Sequence, residues 1–361
     1  MAKYRFIFPL LFTLMISSCA TIDQVDIDYL QSAKIIFPTE VRRVAIVNNV
    51  VTDNRKSVIN KEDSINVINR SESTFQGDAS TMAESLAQNV AAANYFDQVL
   101  ICDSALRKDD KLKIKRELSQ DEVKELTGDL GVDMLLSVED INIKTDQRAI
   151  YENGLFHIIV DAKVSPVIKI YSPTRSTPIV TVSPEDEIFW DEYGQSFEEA
   201  KRRLIKEKQQ IQEASDFAGE IPAKYILPSW NSTYRQYYSS GSVELRDASV
   251  FVREDSWDDA LQLWMKAYES KHEKTKMRAA FNIALYYEMH DDIDKALEWV
   301  EKAQKIVIKK EGLDKKPNQE SYTHKFSEDY MLISHYILIL NERKTDLPTL
   351  NLQMKRFNDN F

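Results

Sequence analysis

Glycine, cysteine and histidine are scarce in this chain, with eight, two and five copies in 361 residues. No Gly-rich loop of the kind that cradles a phosphate is present, which excludes nucleotide motifs built on backbone N–H groups. No Gly-x-Ser-x-Gly nucleophile elbow occurs either. The histidines are His157, His272, His290, His324 and His335, and no two stand at the His-x-x-x-His spacing of a helical metal site. Positive charge is short as well, the formal charge being −11. An acidic chain repels phosphate backbones and has no polybasic grip on anionic lipid, so no nucleic acid is expected as a partner. No apolar stretch beyond the first eighteen residues is long enough to cross a bilayer core, which takes about 20 residues. Apolar side chains make up 43% of the chain, enough to form globular cores.

The N-terminus carries the most informative signal. Lys3 and Arg5 precede an apolar run from Phe6 to Ile16, broken by Pro9 and Thr13. Ser17 and Ser18 are small and leave a peptidase room beside the backbone. Ile16-Ser17-Ser18-Cys19 resembles the lipobox of bacterial lipoproteins. That resemblance implies removal of residues 1–18, acylation of Cys19 as the new first residue, and a lipid anchor that acts as the membrane partner. Each buried CH₂ of an acyl chain contributes about 0.8 kcal/mol, and stable anchoring takes more than one chain. Ala20, rather than Asp, follows the cysteine, which in Gram-negative lipoproteins favours the outer membrane. Losing Lys3 and Arg5 takes the net charge to −13 and leaves 343 residues, enough for two domains. With Cys19 acylated, Cys102 has no disulfide partner, and its setting in Val99-Leu100-Ile101-Cys102 reads as a small buried core residue.

The expected fold class is α+β: a mixed α/β sandwich domain over 35–235, then an all-α tetratricopeptide-like helical domain over 236–361. Residues 19–34 read as a tether, and 51–77, polar and without steady period, as a surface loop or a fragment of helix. Val41 to Asn49 predicts a buried strand. Asp78 or Ser80 caps a helix with Met82, Leu86 and Val90 on one face. A second strand follows at Gln98 to Cys102. Ser119 and Glu122 stand at capping-box spacing before a helix that Gly131 ends, and a third strand covers Val132 to Val138. Alternation from Phe156 to Ile170 predicts a long half-buried strand, bent or placed at an edge by Pro166. A meander at 178–190 and one charged helix from Phe197 to Ala223 complete the domain. The stretches Val44-Ala45-Ile46-Val47, Met82 to Leu86, Asn94 to Val99 and Leu130 to Val138 resemble the N-terminal α/β domain of envelope lipoproteins. That group includes the curli-secretion lipoprotein, the penicillin-binding-protein activators and the first domain of the Tol translocation protein. The chain departs from that pattern after the third strand, where Val138-Glu139 replaces the usual Gly.

The C-terminal third carries a repeat. Asn282 to Tyr287, then Asp294-Lys295-Ala296-Leu297 to Ala303, resemble a tetratricopeptide repeat, with Ala284, Ala296 and Ala303 at the small positions and Tyr287 at the aromatic one. Alanine at these places lets two helix backbones approach. Ala248, Phe251, Ala260, Trp264 and Ala267 supply the same signature one unit earlier, Ala260 preceding Ala296 by 36 residues. A poorer third unit, read over Tyr322 to Phe357, resembles a capping helix. The repeats imply a groove for extended peptides or helices, or else a brace for the first domain. The aromatic stretch Trp230 to Tyr238 reads as domain glue or as a ligand surface. The whole layout resembles Bacteroides-type lipoproteins with C-terminal tetratricopeptide repeats. In such lipoproteins acidic residues like Asp23, Asp26 and Asp28 can accompany surface export, so the periplasmic and surface faces both stand open.

The chemistry that remains is thin. Glu185, Asp186 and Glu187 with Asp191 and Glu192 form the one carboxylate cluster suited to glycoside hydrolysis or a divalent ion. Acidic turns are usually solvated, and no catalytic residue, cofactor or metal is expected. The reading is of an outer-membrane-anchored lipoprotein that binds or scaffolds a protein partner in the cell envelope and is not an enzyme. The alternative is an envelope enzyme or carbohydrate-handling lipoprotein with a carboxylate-based site.

Overall fold

The structure, a computed structural model, describes residues 22–52, 56–61, 67–102, 104–110, 114–313 and 326–358. Cys19, Ala20 and residues 1–18, read above as a lipoprotein signal, lie outside the described residues, as does His324. The class is α+β. The described chain divides into two compact units: one of residues 31–229 with the segment from Pro348, the other of residues up to Leu30 with 230–347. The helical unit begins with strand β1 (Ile22–Gln31), so the expected tether contains a strand.

The sheet unit holds β2 (Arg43–Asn48), β3 (Lys56–Lys61), β4 (Val67–Gln76), helix α1 (Ala79–Ala92), β5 (Gln98–Ile101), α2 (Gln120–Leu130) and β6 (Met134–Glu152). It continues with β7 (Leu155–Tyr171), β8 (Val180–Val182), β9 (Asp186–Gly194), α3 (Phe197–Arg203) and α4 (Glu207–Ile226). β5, β2 and β6 run parallel. The second half of β6 pairs antiparallel with β4, β3 lies outside β4, and β7 follows β6 along its length. Val44, Ala45, Ile46 and Val47 are all fully buried. Val44 and Ile46 pack with α1 and α4, while Ala45 and Val47 pack with Val123 of α2. A strand covered on both faces reads as a continuous apolar run.

The helix boundaries follow local chemistry. Asp78 accepts the N–H groups of Ser80 and Thr81 at 3.0 and 2.9 Å to open α1. Ser119 and Glu122 form a reciprocal capping box, and Gly131, at φ +65°, ends α2. Gly219 sets the approach of α4 to α1, because a Cβ there would meet the Leu86 nitrogen at 2.6 Å.

Two expectations are corrected. The 51–77 stretch contains β3 and β4, whose sequences are mostly polar and therefore show no apolar period. The charged helix at 197–223 is two helices, broken where Leu204 turns extended at φ −55°, ψ 135°. Pro166 lies on an inner strand, at a break that makes a local edge of its outer side. β9 pairs with β7 from Phe156 to Val164 and β8 pairs from Ile168 to Ile170, and Pro166 falls in the gap between them. The β6–β7 hairpin turns on Asn153-Gly154, both at positive φ (51° and 82°), as a two-residue turn of the primed kind requires.

The helical unit holds β1 paired with β10 (Ser229–Tyr238), then α5 (Val243–Arg253), α6 (Trp257–Tyr268), α7 (Glu273–Met289), α8 (Ile293–Glu311) and the first part of α9 (Glu328–Asn358). Strands β1 and β10 belong to this unit, and its described elements from Val243 on are all helices. The repeat is real in backbone terms. Asp255 and Asp291 both sit at positive φ, 57° and 56°. The N–H groups of Ser256 and Asp292 return to the carbonyls of Phe251 and Tyr287 at 2.8 and 2.9 Å. These are paired Schellman closures with Asp where Gly usually stands.

The third unit is one long helix, α9, and the start of the span read for it, positions 322–325, lies outside the described residues. From Pro348 on, α9 packs within the sheet unit. Gln353 bonds the backbone N–H and C=O of Ala33 at 2.9 Å each. Buried Arg356 donates to the carbonyls of Val41 and Pro38 at 2.5 and 2.6 Å. The units thus divide at 30/31, 229/230 and 347/348, where the sequence suggests boundaries at 34/35 and 235/236.

Candidate functional site

The repeat signature builds core. Ala248, Ala260, Trp264 and Ala267 are buried in one cluster, with Phe251 packed against it. Ala284, Ala296 and Ala303 are buried in a second, with Tyr287 against both. All nine positions hold helices together, as small and aromatic packing residues do.

The groove side of α7 is not open. Met277, Arg278, Phe281, Asn282, Leu285 and Glu288 are buried along with the helix's alanines, so α7 is covered all round. The cover on one side is β10. Asn282 Oδ1 accepts the Tyr238 N–H at 2.8 Å, and Asn282 Nδ2 donates to the Tyr238 carbonyl at 2.8 Å. The Tyr238 hydroxyl donates to Asp329 at 2.7 Å, and burial together with that carboxylate raises its pKa. Further along α7, Glu288 is wholly buried. It accepts from Arg235 at 2.9 Å, from Arg343 at 2.9 Å and from the Tyr336 hydroxyl at 2.7 Å. Burial works against the Arg235 charge, and the Glu288 bonds outweigh it, so its pKa is raised. Burial and then Glu288 push the Tyr336 hydroxyl well up. The groove of this repeat pair is therefore filled by the chain's own strand.

In the sheet unit, the C-terminal ends of parallel strands are where such folds usually take a ligand. Here the polar groups are already engaged. Asn49, just past β2, donates to Glu139 of β6 at 2.8 Å and to the Arg116 carbonyl at 2.9 Å. Arg107 donates to Asn49 Oδ1 at 2.6 Å and to Glu122 at 2.8 Å. Burial raises the Glu139 pKa despite its hydrogen bonds. Glu122 is desolvated, yet its bonds to Arg107 and Ser119 prevail and bring it down to about 2. Glu139 accepts from Asn49 at 2.8 Å and from the Tyr171 hydroxyl at 3.3 Å at this end.

Among the described residues one large surface stays uncovered. α1, α3 and α4 pack on the face of Ile158, Val160, Ala162 and Val164. α2 covers the opposite face only around β2, β5 and the start of β6. Over β3, β4, the end of β6, β7 and β9, no described helix packs on that opposite face. By strand register it presents Arg70, Glu72, Lys144, Asp146, Arg148, Asp161, Lys163, Glu187, Phe189 and Tyr193. Like charges stand directly opposite each other: Arg70 beside Arg148, Asp146 beside Asp161, Lys144 beside Lys163. Such juxtaposition is unfavourable, and the side chains resolve it diagonally. Arg70 takes both oxygens of Asp146 at 2.9 and 2.5 Å, Arg148 pairs with Asp161, and Lys163 with Glu185 at 2.5 Å. At the β9 margin Phe189 is 65% exposed. Tyr193 stacks on His157 with centroids 3.9 Å apart, and His157 reaches Asp191 at 2.8 Å and Glu152 at 3.2 Å.

The acidic cluster is split by these partners. Glu185 bonds Lys163 and Ser165, Asp191 bonds His157, and Asp186 accepts the Glu187 N–H. Of the other histidines, His272 precedes α7, His290 stacks on Tyr286, and His335 lines a cleft beside β10. Cys102 is half-buried and free among the described residues. Among the described residues no group of acidic, His or Cys side chains could hold a metal, and no helix is long and apolar enough to cross a membrane. The sequence did carry one signal for the open face. Asn142, Lys144, Asp146 and Arg148 alternate with Ile141, Ile143 and Ala149, which extends the third strand well past Val138.

A family model described as a domain of unknown function (DUF8603) matches residues 41–238. A second, also a domain of unknown function (DUF6340), matches residues 246–342. No curated protein and no solved structure matches the chain.

Proposed function

We propose that this chain, which belongs to the DUF8603 family, is an outer-membrane-anchored lipoprotein that binds a protein partner in the cell envelope. The lipid on Cys19 supplies the anchor, and the uncovered face of the β3–β4–β6–β7–β9 sheet supplies the contact surface. The observation that carries this reading is the exclusion of the other grooves: the repeat groove is filled by β10 and the strand ends are closed by Arg107 and Asn49. The open face ends at β9 in exposed Phe189 and Tyr193 beside Glu187, which stands opposite Lys163. Aromatic anchors flanked by acid suit a partner surface with apolar and basic groups.

The test is capture from intact envelopes with a Phe189→Asp variant, using Cys19→Ala as the unanchored control. Phe189 is largely exposed, so the substitution leaves packing intact. Loss of a specific crosslinked partner with an unchanged melting curve supports the assignment. Equal capture by wild type and Phe189→Asp refutes it.

A further inference from the structure

We infer that the cleft beside β10 in the helical unit is a binding site for a neutral oligosaccharide. Its volume is about 180 Å³, and Phe281, Leu332 and Ile339 supply apolar wall. Gln24, Gln236 and His335 also line it. None of these three side chains has a hydrogen-bond or ion-pair partner among the described residues. Each amide can donate and accept at once, which matches the vicinal hydroxyls of a sugar ring. Tyr234, also lining the cleft, is 60% exposed, and Trp230 on the same side of β10 is 72% exposed. Large exposed aromatics are not needed for packing and offer flat platforms to the C–H face of a pyranose. Four residues along a strand separate them by about 13 Å. That span exceeds one ring, so the ligand is a chain and not a monosaccharide.

Charge decides the class. Arg235 reaches the cleft but is spent on both oxygens of Glu288. Asp28 bonds Ser232, which places Asp26 and Asp28 of β1 on the same outward side as Trp230 and Tyr234. A phosphate, sulfate or carboxylate would meet acid there and no free cation among the described residues that line the cleft.

The experiment is calorimetric and fluorescence titration of the purified full chain with cellohexaose, chitohexaose and maltohexaose, with hexagalacturonate as the anionic probe. Trp230→Ala, Tyr234→Ala and a Gln24→Ala/Gln236→Ala double variant are compared, each checked by its melting curve. Expected are saturable binding of at least one neutral hexasaccharide, none of hexagalacturonate, and binding about tenfold weaker or worse in each variant. No binding of any neutral probe, unchanged affinity in the aromatic variants, or preference for hexagalacturonate overturns the inference. Phe189→Asp leaves this binding unchanged, so its failure is separable from that of the protein-partner reading.

Discussion

Asn282 grips Tyr238 by both polar groups of its backbone, at 2.8 Å for the N–H and 2.8 Å for the carbonyl. One amide side chain on α7 thereby satisfies a strand as a neighbouring strand would. Asn282→Ala leaves a buried donor and a buried acceptor without partners, each worth about 1–3 kcal/mol. We expect a loss of about 2–4 kcal/mol in denaturant unfolding, with faster hydrogen exchange at the Tyr238 amide. Unchanged exchange there would show that the bond pair is not what holds β10.

Glu288 carries two guanidinium partners with no exposure of its own side chain. Removing one member of a buried charge cluster strands the rest, at about 3–5 kcal/mol. Glu288→Ala should therefore destabilise the helical unit by that amount or abolish its folding, read by circular dichroism melts. Glu288→Gln, which keeps the shape and acceptor oxygen, should be intermediate.

Arg356 holds the carbonyls of Val41 and Pro38 and lies over the Tyr95 ring at 4.4 Å. Burial lowers its pKa, and no carboxylate bonds to it among the described residues. Arg356→Met keeps the apolar stem but frees buried carbonyls, for an expected loss of about 1–3 kcal/mol. Protection should fall at residues 33–41, and exchange at α7 should not change.

Much of this was legible beforehand, and the reasons for the rest are specific. The α1 and α2 caps, the Ala repeat and the β2 run follow from local chemistry, and all three stand where the residues place them. β3 and β4 were hidden because polar side chains dominate both sequences, leaving no period to read. β1 was hidden because its partner β10 lies 202 residues away at the Tyr29–Asn231 contact. The cleft of Gln24, Gln236 and His335 joins three residues remote in sequence, so no spacing announces it. Asn153-Gly154 was a readable hairpin signal that the alternation on either side overshadowed.

Glu122 links stability to acid. Desolvation opposes its charge, but the bonds to Arg107 and Ser119 win, and its pKa falls from 4.5 to about 2 in the folded chain. A depressed carboxylate contributes stability above its unfolded value and loses that contribution as pH drops through the folded one. Wild type should lose stability between pH 4.5 and about 2 from this group. Glu122→Gln should be weaker at pH 7 by about 1–2 kcal/mol, allowing for partial exposure. Its stability should fall less steeply over the same acid range. Parallel pH profiles for the two proteins would contradict the assignment.

The most direct measurement is site-specific photocrosslinking in intact envelopes, with a photoreactive residue at position 189 on the open sheet face or at position 124 on exposed α2. A lipid-anchored binder working through the open face gives a discrete protein adduct from 189 and none from 124. No adduct at 189, or the same adduct from both positions, would contradict that function.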